Sequence, residues 1–194
     1  MKIALRVSIA VLVLVLATIR GSGQAADERA IDTQQSRLIV HAYKSGLFSG
    51  FAHDHEIEAP IAQGRVDLKN RRVDLEFDVA RMKVLDPKES ADKRSEIEKT
   101  MLSDTVLDAA RYPKIRFVSR VVRPTSDGAY EVEGDLTLHG MTRPVSFPVK
   151  MKDGTFSGKV PVTQTQFGIK PVSIAGGTVK VKDVVEIEFQ VRTK

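Results

Sequence analysis

The stretch YEVEGDLTLHGMTRPVSFPVKM, residues 130–151, contains two runs of strict alternation that meet at a turn. In the first run Tyr130, Val132, Leu136 and Leu138 share one parity, while Glu131, Glu133, Asp135 and Thr137 take the other. Period two is the signature of a strand with one face in a core and the other in water. In the second run Met141, Val145, Phe147, Val149 and Met151 are apolar, with Thr142, Ser146 and Lys150 between them. His139-Gly140 joins the runs, and glycine supplies the positive φ that a two-residue hairpin loop requires. With Leu138 and Met141 flanking that loop, Leu136 is expected opposite Arg143, Gly134 opposite Val145, and Val132 opposite Phe147. A slip of one residue would set the apolar side of one strand against the polar side of the other, so the pattern specifies the register.

The same alternation recurs on both sides of this hairpin. Leu38, Val40 and Ala42 predict a first strand, and His53 to Pro60 a second extended piece. Gly64 to Lys69 and Val73 to Val84 read as a hairpin around Asn70-Arg71-Arg72. After Asp86-Pro87 the period changes: Lys88 to Leu102 is rich in helix formers, and Ile97, Met101 and Leu102 share a narrow apolar face. Asp104 to Pro113 reads as extended, followed by a strand with Ile115, Phe117 and Val121 on its apolar parity. Beyond the Asp153-Gly154 turn come a strand with Phe156, Val160 and Val162, and a long closing strand from Thr178 to Val191. Pro144 and Pro148 share the polar parity of one strand and predict a neighbour that pairs with it incompletely. Eight to ten strands, one helix and mostly short connections imply an all-β domain, an antiparallel barrel or sandwich.

Composition limits the function classes. Lys2 and Arg6 precede an uncharged apolar run, Val7 to Ile19, and small residues follow, as in a secretory signal peptide occupying residues 1–26. As a helix that run reaches about 20 Å, short of the roughly 30 Å hydrocarbon core of a bilayer. The chain carries 30 Lys and Arg against 25 Asp and Glu; without Lys2, Arg6 and Arg20, 27 face 25, a net charge of +2. Interleaved signs give no basic stripe for nucleic acid. Cysteine is absent, which excludes disulfides, thiol catalysis and thiolate metal sites. No Gly-x-Ser-x-Gly elbow, His-Glu-x-x-His pair or phosphate-binding glycine loop occurs, so no nucleophile is nominated and no enzyme is expected. His139 is expected exposed at a hairpin tip. With no Trp and only three Tyr, the chain lacks the aromatic girdles of an outer-membrane barrel.

Several segments together resemble the YceI-like family, secreted bacterial proteins with a lipocalin-like barrel that binds polyisoprenoid or related lipids. They are Gly134 to Val145, Arg111-Tyr112-Pro113-Lys114-Ile115-Arg116-Phe117, Gln166-Phe167-Gly168-Ile169 and the closing strand. The resemblance implies one domain over residues 27–194, a lipocalin-like antiparallel barrel of about eight strands with one helix in a connection. It implies a periplasmic or secreted protein whose partner is a long isoprenoid or acyl lipid, with no cofactor.

A barrel of that size either holds one ligand or is filled by its own side chains. The lack of Trp, the eight Phe and the predominance of Val at inward positions favour room inside. The candidate wall residues are Leu75, Phe77, Phe117, Leu136, Leu138, Val145, Phe147, Ile187 and Phe189, and Leu47, Phe48 and Phe51 are candidates for an apolar lip. All would equally serve an ordinary core. His53 and His55, at i and i+2, would point to one side of a strand, a spacing that can hold a metal or heme. That gives an alternative, a metal- or heme-associated protein; a filled barrel acting through protein partners is another.

Overall fold

The computed structural model describes residues 28–45, 54–174 and 178–194. Among them, one α-helix interrupts a succession of antiparallel strands. In chain order these are β1 (Glu28–Ala30), β2 (Arg37–Ala42), β3 (Lys44–Ser45), β4 (His55–Glu58), β5 (Ile61–Asp67), β6 (Arg72–Asp78), β7 (Lys83–Val84), α1 (Ala91–Leu102), β8 (Lys114–Pro124), β9 (Tyr130–Leu138), β10 (Met141–Lys152), β11 (Thr155–Thr163), β12 (Ser173–Ile174), β13 (Val179–Val181) and β14 (Val184–Arg192). The main sheet has the order β1-β5-β6-β8-β9-β10-β11-β14-β2-β4-β7, and β12, β13 and β3 form a small second sheet.

The main sheet curls until the end of its first strand, β1, meets the end of β14. Ile31 bridges Thr193, the Asp32 amide donates to the Arg192 carbonyl at 2.8 Å, and the Lys194 amide donates to the Ala30 carbonyl at 2.9 Å. The ring so formed contains eight strands, β1, β5, β6, β8, β9, β10, β11 and β14, with β2, β4 and β7 continuing past β14. This is the lipocalin-like antiparallel barrel with one helix in a connection. Closure leaves few exposed sheet edges.

The β9–β10 hairpin has the register that its alternation dictates: Leu138 opposite Met141, Leu136 opposite Arg143, Gly134 opposite Val145 and Val132 opposite Phe147. Both loop residues take positive φ, 51° at His139 and 71° at Gly140, the geometry that matches strand twist in a two-residue turn. Beyond Pro148 the pairing of β10 with β11 covers only Val149 to Lys152, so the half of β10 that carries Pro144 and Pro148 has no β11 ladder. A 3-10 turn, Gln164–Phe167, packs there instead and buries Phe167 to 1% exposure.

Four stretches depart from their sequence patterns. The run from Val73 to Val84 breaks after Asp78 into a 3-10 turn, Val79–Arg81, which buries Val79 and Met82 under the barrel. Residues 104–113 are folded back in turns rather than extended, with the Asp108 amide donating to the Ser103 carbonyl at 2.7 Å and the Tyr112 amide to the Asp108 carbonyl at 2.8 Å. A bulge in β8 between Ser119 and Val121 moves Val122, not Val121, opposite Val132. Here the buried Ser119 hydroxyl accepts the Val73 amide at 2.8 Å and replaces a ladder bond. The closing strand is two strands, because Asp183 turns away to accept from the Thr165 amide at 2.9 Å.

Helix α1 begins at Ala91, three residues later than the Lys88 start of the sequence pattern, because Ser90 caps it: Ser90 Oγ accepts the Lys93 amide at 3.2 Å. Its buried face is Met101 with Ile97 and Leu102 beside it, and it lies across one end of the barrel. The two ends differ. The β9–β10 turn, α1 and the 3-10 turn at Phe167 gather at one end; the β5–β6, β8–β9 and β10–β11 turns gather at the other.

Candidate functional site

Inside the barrel is an elongated cavity of about 300 Å³. Among the described residues Asp67 and Arg71 are the only charged ones along it; the others are apolar or aromatic side chains from β2, β5, β6, β8, β9, β10, β11 and β14 and from the segments beside them. Period two puts them there, since each strand sends alternate side chains inward.

Of the nine candidate wall residues, Leu75, Phe77, Phe117, Leu136, Val145, Phe147, Ile187 and Phe189 line the cavity. Leu138 does not: at the closed end of β9 it packs in the cluster around Phe167 and Ile169. Leu47, Phe48, Phe51 and His53 lie outside the described residues. Sequence reasoning missed Leu38, Val40, Val160 and Val191, although each shares an inward parity, and it missed Leu68 and Arg71, which sit at a turn where no period applies.

Three rings form the middle of the wall. Phe117 and Phe147 are 5.5 Å apart between centroids, and Phe147 meets Phe189 edge-on at 5.8 Å. Two glycines make space for them. A methyl group at Gly134 would lie 2.6 Å from Phe117, and one at Gly158 would lie 2.7 Å from Phe189. The Phe117 and Phe189 rings therefore sit close against bare backbone at these two positions.

One end of the cavity is plugged and the other opens. At the plugged end Tyr112 covers Gly140 and packs tilted against His139, ring centroids 4.5 Å apart, and His139 Nδ1 is 3.1 Å from the Phe167 carbonyl oxygen. His139 is thus half-buried and hydrogen-bonded rather than an exposed tip. Arg143 Nε donates to the Gln166 carbonyl at 3.1 Å. The motif segments around Tyr112, His139 and Phe167 thus meet in one structural plug. At the open end stand Leu68 and Met151, 44% and 48% exposed, with Arg71 beside them. Asp67 is occupied at this rim: the Asn70 backbone amide and side chain donate to it and hold its carboxyl below the usual carboxylate range.

His55 is paired with a buried carboxylate. Its Nδ1 is 2.6 Å from Asp86 Oδ2, and the other oxygen of the buried Asp86 accepts the Glu56 amide at 2.8 Å. Among the described residues no three His, Asp or Glu side chains gather with metal-holding geometry. On the outer wall His41 Nε2 is 3.5 Å from Glu188, and Lys159 donates to Glu186 at 2.7 Å, holding that carboxyl below its ordinary value.

An antiparallel barrel with an almost wholly apolar internal cavity is of the lipocalin-like fold class. Within that class this chain belongs to the YceI-like domain family, whose match runs over residues 30–193. A UPF0312 protein of Pseudomonas putida is 42% identical over 65 residues, 34% of this chain and 31% of that protein. A UPF0312 protein of Pseudomonas savastanoi is 37% identical over 86 residues, 39% of this chain and 45% of that one. The matched part is thus less than half the length of these relatives. Among solved structures, Burkholderia cenocepacia BcnA superposes with a TM-score of 0.63 at 21% identity, covering 83% of this chain and 98% of BcnA. A polyisoprenoid-binding domain from Saccharophagus degradans, implicated in plant cell wall breakdown, superposes at 0.56 with 11% identity, covering 85% and 96%. Among the described residues no helix is long and apolar enough to cross a membrane.

Proposed function

We propose that this chain is a periplasmic or secreted carrier that holds a polyisoprenoid or similar long apolar lipid inside its barrel and does no covalent chemistry on it. The observation that carries this reading is the cavity itself, about 300 Å³ with an almost wholly apolar lining and one open end. At roughly 30 Å³ for a small group, that space takes about ten methylene-sized units. Burial contributes about 0.8 kcal/mol per unit, so roughly 8 kcal/mol gross, from which lost freedom subtracts several kcal/mol. What remains, about 4–5 kcal/mol, corresponds to binding in the range of roughly 0.2–1 mM from this space alone, without any charged anchor in the barrel. The likeness to the polyisoprenoid-binding domain of Saccharophagus and the family match support the same ligand class, and the apolar run at Val7 to Ile19 supports export.

The absence of Trp makes a binding assay direct, because a fluorescent polyene fatty acid can be excited through energy transfer from Tyr130 at the cavity without competing Trp emission. Uptake of the probe at one per chain, and its displacement by a polyprenol, are expected. Val145→Trp, which fills part of the cavity from a half-buried position, should weaken uptake at least tenfold, read by exciting the polyene directly so that the added Trp does not contribute. A folded parent protein that takes up neither probe nor polyprenol would refute the carrier reading.

A further inference from the structure

The open end of the barrel carries a charge pattern unlike the wall. On the wall, basic side chains are matched by acidic ones across neighbouring strands: Lys114 with Glu76 and Asp78, Arg116 with Asp74, Arg120 with Asp135, Arg123 with Glu133, and Lys159 with Glu186. At the mouth this pairing stops. The three turns that frame it, residues 67–72, 125–129 and 150–154, hold Lys69, Arg71, Arg72, Lys150 and Lys152 against Asp67, Asp127 and Asp153, five positive charges to three negative. All five basic side chains are exposed. Among the described residues none of them is in an ion pair, and Asp67 is spent on capping its own turn.

The same segments hold two of the three exposed large apolar side chains among the described residues, Leu68 and Met151. Both continue into the cavity lining. An apolar tip ringed by unpaired cations is the composition of a surface that inserts into the headgroup region of an anionic bilayer. We propose that this rim, built on the β5–β6 and β10–β11 turns, is a docking face for an anionic lipid surface, seating the mouth on the membrane so that a chain passes between bilayer and cavity without crossing water. The passage rests on the carrier reading; the docking does not.

The test is co-sedimentation of the purified chain with vesicles of phosphatidylcholine alone and of phosphatidylcholine with one third phosphatidylglycerol. Binding to the anionic vesicles and not the neutral ones is expected, falling as salt screens it. Each basic side chain near such a surface contributes about fivefold, so Lys69→Gln/Arg71→Gln/Lys152→Gln should bind about a hundredfold less, and the three Glu substitutions less still. Leu68→Ser/Met151→Ser should lose about tenfold through the apolar contact. Lys99→Glu, on α1 at the plugged end, should bind as the parent does. Equal binding to both vesicle types, or full binding by the Gln and Glu variants, would overturn the proposal. Thermal unfolding of each variant confirms that it is folded. Probe uptake in detergent solution is read separately: a Gln variant that fills its cavity yet ignores vesicles supports docking by this rim, and a parent that docks yet takes up no probe refutes the carrier while docking stands.

Discussion

Gly134→Ala tests whether the cavity wall is built as described, because one methyl group there has nowhere to go. Its carbon would lie 2.6 Å from two ring carbons of Phe117 and 2.6 Å from the Val118 carbonyl oxygen. Carbon atoms rest at about 3.5–4.0 Å, so close to 1 Å must be found. Val118 is held opposite Asp135 in the β8–β9 ladder, which leaves the Phe117 ring to rotate toward the cavity and the strands to part slightly. An off-rotamer ring and a strained ladder cost about 1–3 kcal/mol together. For a domain of this size that lowers the melting temperature by roughly 3–10 °C. The ring then occupies ligand space, so uptake of an apolar probe should fall alongside stability. Phe117→Leu removes the clashing ring carbons, so the double variant should be more stable than the sum of the two single effects by at least about 0.5 kcal/mol. Calorimetry on the four proteins reads this directly. A Gly134→Ala protein as stable as its parent, or strictly additive effects, would refute the packing of Phe117 over bare backbone.

Other expectations follow from the same framework. Phe167→Ala removes the most buried aromatic side chain of the plug and should cost about 3–5 kcal/mol in chemical denaturation; a loss below about 1 kcal/mol would mean that the plug is not part of the core. Asp86→Ala strands the Glu56 amide and frees His55, and should cost about 1–3 kcal/mol, while His55→Ala should leave the metal content of the purified protein unchanged by elemental analysis; metal lost with His55 would restore the metal reading. The Arg116 side chain donates to Asp74 and holds its carboxyl below the ordinary value. The folded chain therefore takes up protons at Asp74 later than the unfolded chain does as pH falls. That contribution is whole above the unfolded value near 4 and is lost as pH falls through the folded one, so Arg116→Met should flatten the acid limb below about pH 4 and change neutral stability by less than about 1 kcal/mol. Identical acid unfolding of parent and variant would contradict it.

The parts of this fold legible in the sequence are those governed by period two. Val132 and Phe147 face each other because every alternate residue on both strands is apolar, and no other register buries both sets. The helix was legible for the same kind of reason, since Ile97, Met101 and Leu102 fit only a helical period after Pro87. What escaped lies where a single contact overrides the period. Val122 replaces Val121 on the wall because the Ser119 hydroxyl accepts an amide and inserts a bulge, and nothing in Ser-Arg-Val-Val announces that. Asp183 splits an apparently continuous strand by accepting from Thr165, a residue 18 positions earlier. Residues 104–113 looked extended because Thr, Val and Tyr are common in strands and Pro113 is unsuited to a helix interior, yet Asp108 at a φ of 45° turns the chain back. The mouth was least legible of all. Leu68 and Arg71 belong to a hairpin turn, and only the curl of the sheet brings them to the same opening as Met151.

The measurement that bears most directly on the carrier reading is native mass spectrometry of the chain purified from its own cell envelope without detergent, followed by solvent extraction and identification of what is released. One isoprenoid or long acyl chain per polypeptide, absent from the Val145→Trp protein, is the predicted result. A bare polypeptide mass, with nothing apolar in the extract, would contradict it.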